Sequence, residues 1–90
     1  MTIQEVCKIV QQWQNEGKKI VLTTGTFDLM HPGHTDFFEI IKKHGDKVVV
    51  GVNCDTFTRN RKGPGRPIID ENNRAKQVGS NRNVDIVFVA

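Results

Sequence analysis

T-T-G-T-F-D-L-M-H-P-G-H, residues Thr23 to His34, is the stretch that decides the fold. It follows the apolar run Ile20-Val21-Leu22, which predicts a buried strand, and it precedes apolar residues at helical spacing in 37–41. We therefore expect a strand-to-helix turn, with Pro32 in the first helical turn, where its missing N–H has no partner to lose. Such a turn directs free backbone N–H groups and the positive end of a helix dipole at one spot, which suits a phosphate.

The same turn carries residues that support chemistry. Gly25 lets the backbone approach a ligand closely, and His31 and His34 add two imidazoles at the same place. Two other interpretations are open: the histidines only cap the helix, or they form part of a metal site, since H-x-x-H can place two ligands on one helical face. No third cysteine, histidine or carboxylate lies at a recognisable ligand spacing, which disfavours the metal site.

The length and composition restrict the class of protein. The chain has 90 residues, which suits a single domain spanning residues 1–90. No apolar run approaches the ~20 residues of a membrane span, and the N-terminus has no basic-then-apolar signal. We therefore expect a soluble, cytoplasmic protein without a membrane partner. Cys7 and Cys54 form no C-x-x-C pair, and we expect both to be small buried hydrophobic residues.

Charge is distributed unevenly along the chain. Residues 57–90 carry seven Lys and Arg against three Asp and Glu, whereas residues 1–56 carry six against seven. The positive second part predicts an anionic ligand.

The hydrophobic pattern predicts alternating helices and strands. Apolar runs indicate three strands, over Lys19–Thr24, Lys47–Asn53 and Asp85–Val89. Helical spacing and capping residues indicate three helices, over Ile3–Glu16, Pro32–His44 and Asp70–Ser80. We expect Phe37, Ile40 and Ile41 to be buried, and Thr56 to Pro67 to form an irregular basic loop. Strand, helix and strand in succession form a βαβ unit with parallel strands.

The motif also carries a family resemblance. G-T-F-D-L-M-H-P-G-H, from Gly25 to His34, resembles the G-x-F-D-x-x-H-x-G-H signature, a HIGH motif, of the cytidylyltransferase-like nucleotidyltransferases. K-G-P-G-R-P at Lys62 to Pro67 is similar to the loop of bacterial heptose-1-phosphate adenylyltransferase domains. The segment G-T-F-D-L, Gly25 to Leu29, more closely resembles glycerol-3-phosphate cytidylyltransferases, so the preferred base, cytosine or adenine, stays open.

The resemblance implies a fold and an association. The fold is α/β, a Rossmann-like three-layer sandwich whose parallel sheet has the strand order 3-2-1 and lacks the C-terminal strands of the family. The first strand would then have an exposed edge, which favours a homodimer or a partner chain.

The resemblance also implies an activity. It is the transfer of a CMP or AMP group from CTP or ATP, with Mg²⁺, to a sugar phosphate or polyol phosphate, releasing pyrophosphate. The catalytic residues implied are His31, His34 and Lys62. The nucleotide-binding residues implied are Thr24, Gly25, Thr26, Phe27, Asp28, Gly33, Asp55, Arg66 and Arg74.

Some of these roles have alternatives. Asp28 either orients the turn or contacts Mg²⁺ or substrate, with orientation favoured. Asp55 either meets the nucleotide or caps the following loop. Lys62 and Arg66 would close over the phosphates, with Arg74 alongside.

Two other functions compete with the transferase. One is a non-catalytic remnant that keeps the nucleotide site, and the other is a basic nucleic-acid-binding module. The basic loop has no interleaved aromatic residue beyond Phe57, which disfavours nucleic acid.

Overall fold

The computed structural model describes all residues, 1–90, as a three-stranded sheet with helices on both faces. The strands are β1 (Ile20–Gly25), β2 (Lys47–Val52) and β3 (Ile86–Val89). The helices are α1 (Ile3–Asn15), α2 (Pro32–Lys42), α3 (Asp55–Lys62) and α4 (Glu71–Gly79). All pairings are parallel and β2 lies in the centre, so the order β1-β2-β3 confirms the predicted 3-2-1 sheet.

The sheet divides the core into two parts and makes the molecule three-layered. On the face covered by α2 and α4, the core residues are Phe27, Phe38, Val48, Val50, Val52 and Val78. On the face covered by α1, they are Val6, Val49 and Ile86. Alternate residues of β2 therefore supply both faces, as expected for a parallel strand that is buried on both sides. This architecture confirms the predicted α/β class.

Local signals explain where the elements start and how they are joined. Thr2 and Glu5 form the expected capping box at the start of α1. Asp85, just before β3, accepts hydrogen bonds from the Val48 N–H at 2.7 Å and from Lys42 Nζ at 2.8 Å. That carboxylate joins the last turn of α2 to the amino ends of β2 and β3. No helix is both long and apolar enough to cross a bilayer.

The predicted irregular loop over Thr56 to Pro67 is wrong in its first part, because residues 55–62 form helix α3. Glycine and proline begin only at Gly63, and Gly63 ends the helix with a φ of 93° that a side chain would make unfavourable. Asp55 lies in the first turn, and Arg59 and Lys62 lie in the last turn. Their charges therefore interact favourably with the helix dipole.

Burial differs from the prediction at three places. Leu22 is 63% exposed because it lines an open groove between α1 and the sheet, and no residue of the edge strand β1 is fully buried. On α2, Phe38 is buried, whereas Phe37 and Ile40 are 40% and 54% exposed. The inward-facing residues of α2 are His34, Phe38 and Ile41, so Ile41 packs against the core as predicted, whereas Phe38 replaces Phe37. Cys7 is exposed on α1, contrary to expectation.

Candidate active site

The carboxyl ends of β1 and β2 open into a cleft with two lobes. The histidine lobe, about 450 Å³, is lined by the turn after β1 together with His31, His34, Phe37 and Lys62. The helix lobe, about 400 Å³, is lined by Asn53, Phe57, Arg61 and Lys62. Residues Thr24 to Thr26 and Lys62 line both lobes, so the two lobes adjoin at these residues. A crevice at the carboxyl ends of the strands is the usual ligand site of an open α/β sheet.

The turn after β1 has an unusual backbone. Phe27 and Leu29 adopt φ values of 56° and 51°, in the left-handed region that non-glycine residues seldom occupy. Each such residue costs on the order of 1–3 kcal/mol and persists only where the surroundings impose it. The Phe27 ring is buried against Phe38, with ring centroids 5.4 Å apart. The turn is therefore held in shape by contacts made elsewhere in the molecule.

Asp28, between these two residues, supplies one of those contacts. Its carboxylate accepts hydrogen bonds from the backbone N–H groups of Ile68 at 2.8 Å and Ile69 at 2.9 Å. Burial alone would raise the pKa of Asp28, but these two hydrogen bonds and the Arg66 guanidinium outweigh burial and lower the pKa. Both carboxylate oxygens are used within the protein, so Asp28 orients the turn.

Arg74 supplies the other contacts, and its position corrects the expectation that it lies over the phosphates. The side chain is fully buried. Its guanidinium donates to the carbonyls of Thr26 at 2.7 Å and Asn53 at 2.8 Å, and its Nε donates to the carbonyl of Ile69 at 2.7 Å. It therefore ties together the segment after β1, the segment after β2 and the segment before α4.

Asp55 completes this arrangement. Its carboxylate accepts from Arg74 at 2.6 Å, and its backbone N–H donates to the Glu71 carboxylate at 2.9 Å. Between the two alternatives for Asp55, the structure places it as the first residue of α3 and as the ion-pair partner of Arg74. Neither residue lines the cleft lobes.

The two histidines cap helix α2 and also line the histidine lobe. His31 Nδ1 accepts from the Gly33 N–H at 3.0 Å, and His34 Nδ1 accepts from the His31 N–H at 3.2 Å. A neutral imidazole whose Nδ1 accepts a hydrogen bond carries its proton on Nε2. Neither Nε2 has a protein partner. Capping therefore leaves two N–H donors available to a ligand, and the capping and ligand-binding interpretations are compatible.

The helix cap determines which N–H groups remain free to bind a phosphate in the histidine lobe. The Gly33 N–H donates to His31 Nδ1 and the His34 N–H to the His31 carbonyl, so the first N–H groups of α2 are already used. The backbone N–H groups of Thr26 and Phe27 have no partner within the protein. A phosphate in this lobe would therefore meet two imidazole donors and the turn after β1, and not the end of α2.

Burial keeps His34 neutral. Its ring lies edge-on to Phe27 and 4.2 Å from the His31 ring, measured between centroids. Burial lowers the pKa of His34, and the neighbouring His31 lowers it further. A neutral ring keeps Nδ1 as an acceptor, so the low pKa preserves the cap and the Nε2–H donor together.

Glycine is required at two positions of the motif for reasons of space. A Cβ at Gly33 would lie 2.6 Å from Cε1 of His31, and one at Gly25 would lie 2.9 Å from the Phe27 ring. Both distances are shorter than real Cβ contacts, so a side chain at either position would displace a ring that shapes the lobe. These two glycines make room for the site's own side chains.

The two predicted cations differ in position. Lys62, the last residue of α3, faces both lobes. Arg66 instead lies 3.4 Å from the Asp28 carboxylate and is absent from the cleft lining. Sequence reasoning missed Asn53 and Arg61, which line the helix lobe. The position of Asn53 at the carboxyl end of β2 could have indicated it, whereas Arg61 was hidden by the wrong loop prediction.

No group of three or more histidine, cysteine, aspartate or glutamate side chains is arranged to hold a metal ion. The one carboxylate in the lining, Asp28, already accepts three hydrogen bonds. The residues present therefore do not form a resident Mg²⁺ site.

Comparison with known proteins identifies the family. Residues 22–90, which include the whole cleft, match the family model described as cytidylyltransferase-like. The chain belongs to the cytidylyltransferase-like family. Its signature turn, from Gly25 to His34, lies entirely within the matched region.

Curated and solved relatives agree with this assignment. The cytidylyltransferase-like chain is 43% identical over 86 residues to the bifunctional protein HldE of Azorhizobium caulinodans, covering 96% of the chain and 18% of that relative. It is 40% identical over 87 residues to HldE of Gluconobacter oxydans, with 97% and 18% covered. A lipopolysaccharide core biosynthesis protein from Thermoplasma volcanium superposes with a TM-score of 0.76 at 36% identity. That alignment covers 81% of the chain and 58% of the neighbour.

Proposed function

We propose that this chain is a nucleotidyltransferase that moves a CMP or AMP group from CTP or ATP to a sugar phosphate or polyol phosphate. The observation that carries the proposal is the pair of histidines that cap α2, because their Nε2–H groups are free in a lobe that also contains Lys62. The family assignment and the HldE relatives support it. The chain spans only 18% of those relatives, so the activity and both substrates are our inference.

The reaction needs charge stabilisation more than proton transfer. An oxygen of the acceptor phosphate attacks the α-phosphorus, a new P–O bond forms, and the bond to the bridging oxygen breaks as pyrophosphate leaves. The attacking phosphate is already ionised at neutral pH, so the step requires no general base. Negative charge accumulates on the oxygens around the α-phosphorus, where fixed N–H donors are most effective.

The residues of the histidine lobe suit this task. His31 and His34 donate from Nε2 to oxygens of the α-phosphate, and the free N–H groups of Thr26 and Phe27 hold neighbouring phosphates. Lys62 adds a full positive charge that attracts the ground state and the transition state alike. The Mg²⁺ that accompanies a nucleoside triphosphate would enter with its phosphates, because the chain offers it no free carboxylate in the lobe.

The proposal includes a setting for the enzyme. We place it in the cytoplasm, where nucleoside triphosphates are available, and we expect a homodimer. Strand β1 pairs with β2 alone, and Leu22 on this edge strand is 63% exposed, features that favour association. Light scattering tests the dimer, and a monodisperse species of about 10 kDa that melts cooperatively would contradict it.

Alanine substitution of each histidine tests the reaction. In His31→Ala and His34→Ala, pyrophosphate release should fall by ~10²–10³, the usual loss for one such donor. Binding of CTP or ATP, measured by calorimetry, should stay within several-fold of the wild type. Asparagine at either position should retain more activity, because its amide can still donate. His44→Ala is the matched control, since His44 is exposed just beyond the C-terminal end of α2.

Lys62→Ala should behave differently from the histidine variants. Because its charge acts before and during the reaction, triphosphate binding should weaken together with the rate. If the histidine variants lose Zn²⁺ binding while nucleotide chemistry is unchanged, the transferase assignment is wrong and a metal site replaces it. Nucleotide binding without turnover would indicate the non-catalytic remnant. Binding of nucleic acid that triphosphate fails to displace would indicate the basic module.

A further inference from the structure

We propose that Phe37, together with Leu29, forms the surface on which the nucleoside of CTP or ATP packs, with the base stacked on the Phe37 ring. This inference rests on the proposed nucleotidyl transfer and extends the phosphate site to the rest of the donor molecule. Phe37 and Leu29 line the histidine lobe together with His31 and His34. The phosphate contacts and the nucleoside contacts then belong to one continuous surface.

Phe37 is exposed although the next residue of the helix is buried. Phe38 is fully buried in the core, whereas Phe37 is 40% exposed and contacts Phe38 with ring centroids 5.8 Å apart. Phe37 follows His34 by three residues, and residues with this spacing are neighbours on one side of a helix. The Phe37 ring is therefore held beside the imidazole that donates to the α-phosphate, with part of its surface open to a ligand.

Leu29 combines two unfavourable features in the same lobe. Its φ of 51° lies in the left-handed region, which leucine seldom adopts, and its side chain is 49% exposed. Backbone of this kind persists where the surrounding structure imposes it, and it is concentrated at ligand sites. The preceding residue, Asp28, stabilises this turn by accepting from the N–H groups of Ile68 and Ile69. The fold therefore holds at the lobe an apolar side chain that a ligand can cover.

The other aromatic residues of the cleft are less suited to a base. Phe57 lines the helix lobe, but the Arg61 guanidinium lies over its ring, 5.7 Å from the ring centroid, and covers one face. Phe27 lines the histidine lobe but is buried. No cation lies over the ring of Phe37. Phe37 is therefore the aromatic residue of the cleft that is free to stack.

The position of this surface fits a nucleoside. The nucleoside begins one bond beyond the α-phosphate, so the surface next to the two histidines is the first that it meets. Bases stack on aromatic side chains with little dependence on which base is present. Thr23 and Thr24 line the same lobe and supply hydroxyl groups for the polar edges of the nucleoside. An apolar surface with a few polar groups is typical of small-molecule sites.

Calorimetry with matched ligands tests this assignment. The probes are CTP, ATP and inorganic tripolyphosphate, which has the phosphates and no nucleoside, each titrated with Mg²⁺ into the full chain. In Phe37→Ala, the Kd of the better-bound nucleotide should rise by about tenfold, as for the loss of one base stacked on an aromatic ring. The Kd of tripolyphosphate should stay within about twofold, because the phosphate donors are unchanged. Phe37→Tyr should retain the nucleotide affinity.

Leu29→Asn separates a role in binding from a role in folding. Asparagine tolerates the left-handed backbone better than leucine does, so thermal stability should not fall. The Kd of the nucleotide should nevertheless rise several-fold, because an apolar contact is lost, while the Kd of tripolyphosphate stays unchanged. A loss of stability with unchanged nucleotide affinity would show that Leu29 is structural and would remove it from the proposed surface.

Ile40→Ala is the matched control, because Ile40 is 54% exposed on the same helix and lines neither lobe. It should leave all three affinities unchanged. Equal losses in the Ile40 and Phe37 variants would show a general effect on α2 and overturn the proposal. Equal losses of nucleotide and tripolyphosphate affinity in Phe37→Ala, or no loss of either, would also overturn it. Failure of the wild type to bind either nucleotide would do the same.

A measurement on the wild type gives the answer without any substitution. Nuclear Overhauser effects should connect the ring protons of Phe37 to the base protons of the bound nucleotide. Their absence would overturn the proposal even if Phe37→Ala fails to fold, which thermal melting reveals.

The outcome is separable from that of the proposed function. Binding is measured without turnover, so a nucleotide-selective loss in Phe37→Ala supports the subsite even if no pyrophosphate is released. Conversely, pyrophosphate release that depends on His31 and His34, with an unchanged nucleotide Kd in Phe37→Ala, supports the reaction and rejects the subsite.

Discussion

The turn after β1 and the C-terminal half of α3 form two walls of the cleft, and the protein holds them in different ways. The turn is held by distant segments, because its Asp28 accepts from the N–H groups of Ile68 and Ile69 and its Thr26 carbonyl accepts from Arg74. Arg61 and Lys62 on α3 have no such partners and lie open to the cleft. The comparison indicates that one wall fixes the geometry of the site, whereas the other presents charge.

Arg74→Ala should have the largest effect, because it removes the link that fixes the turn. The substitution leaves the Asp55 carboxylate and the carbonyls of Thr26, Asn53 and Ile69 without their donor. Breaking a buried charged pair costs about 3–5 kcal/mol in the free energy of unfolding. Arg74→Lys should restore little, since an ammonium group cannot reproduce the fork of donors. Chemical denaturation measures the loss.

Arg82→Ala is the control for that experiment, because Arg82 is exposed and makes no ion pair. Its free energy of unfolding should stay within about 0.5 kcal/mol of the wild type. If Arg74→Ala also stays in that range, the turn is not fixed by Arg74 and the contrast between the two walls fails.

Asp28→Asn should have an intermediate effect on the same wall. The amide can accept one backbone hydrogen bond but lacks the charge that strengthens all three, so we expect a loss of about 1–3 kcal/mol. The lowered pKa of Asp28 means that its contribution is present above the ordinary value near 3.8 and is lost as the pH falls through the lower folded pKa. The wild type and the variant should therefore converge in acid. Denaturation curves recorded from neutral to acid pH test this.

Asp36→Asn serves as the comparison, since Asp36 is exposed on α2 and accepts no side-chain hydrogen bond. A loss in Asp28→Asn that is no greater than in Asp36→Asn, or that persists unchanged in acid, contradicts the role given to Asp28.

A smaller effect concerns His34 and pH. The pKa of His34 is lowered, so the unfolded chain takes up a proton near the ordinary value of 6.5 and the folded chain only at lower pH. Its contribution to stability is therefore complete above 6.5 and is lost as the pH falls through the folded pKa. The ring is partly exposed, which keeps the effect small. His34→Gln should flatten the stability profile over this range, and an unchanged profile would contradict the lowered pKa.

The sequence predicted the elements and the motif turn because both depend on local patterns. The positions of the strands, the helix caps and the place of Pro32 are visible in neighbouring residues, and the parallel order β1-β2-β3 follows the family resemblance. Helix α3 was missed because the loop prediction, which rests on the glycines and prolines at 63–67, also covered residues 56–62, which contain neither. The missed helix concealed Arg61, since the residues that line the helix lobe are set by the helical repeat.

The roles of the charged residues were harder to predict, because they depend on distant contacts. The family resemblance implies a nucleotide-binding role for Arg74, but its partners lie at Thr26, Asn53 and Asp55. Likewise, the cap formed by His31 and His34 was expected as an alternative to ligand binding, whereas the positions of their Nδ1 atoms make the two roles compatible. No pattern in the sequence shows which nitrogen of a histidine faces a ligand.

The most direct test of the central claim is the tautomeric state of these two histidines, read by proton–nitrogen correlation NMR of the imidazole rings. At a pH above the titration range of histidine, His31 and His34 should both carry their proton on Nε2. Adding CTP or ATP should then shift the Nε2–H signals of both rings and leave His44 unchanged. A proton on Nδ1 of either ring, or Nε2 signals that triphosphate does not move, would contradict the claim that the helix cap turns this pair into phosphate donors.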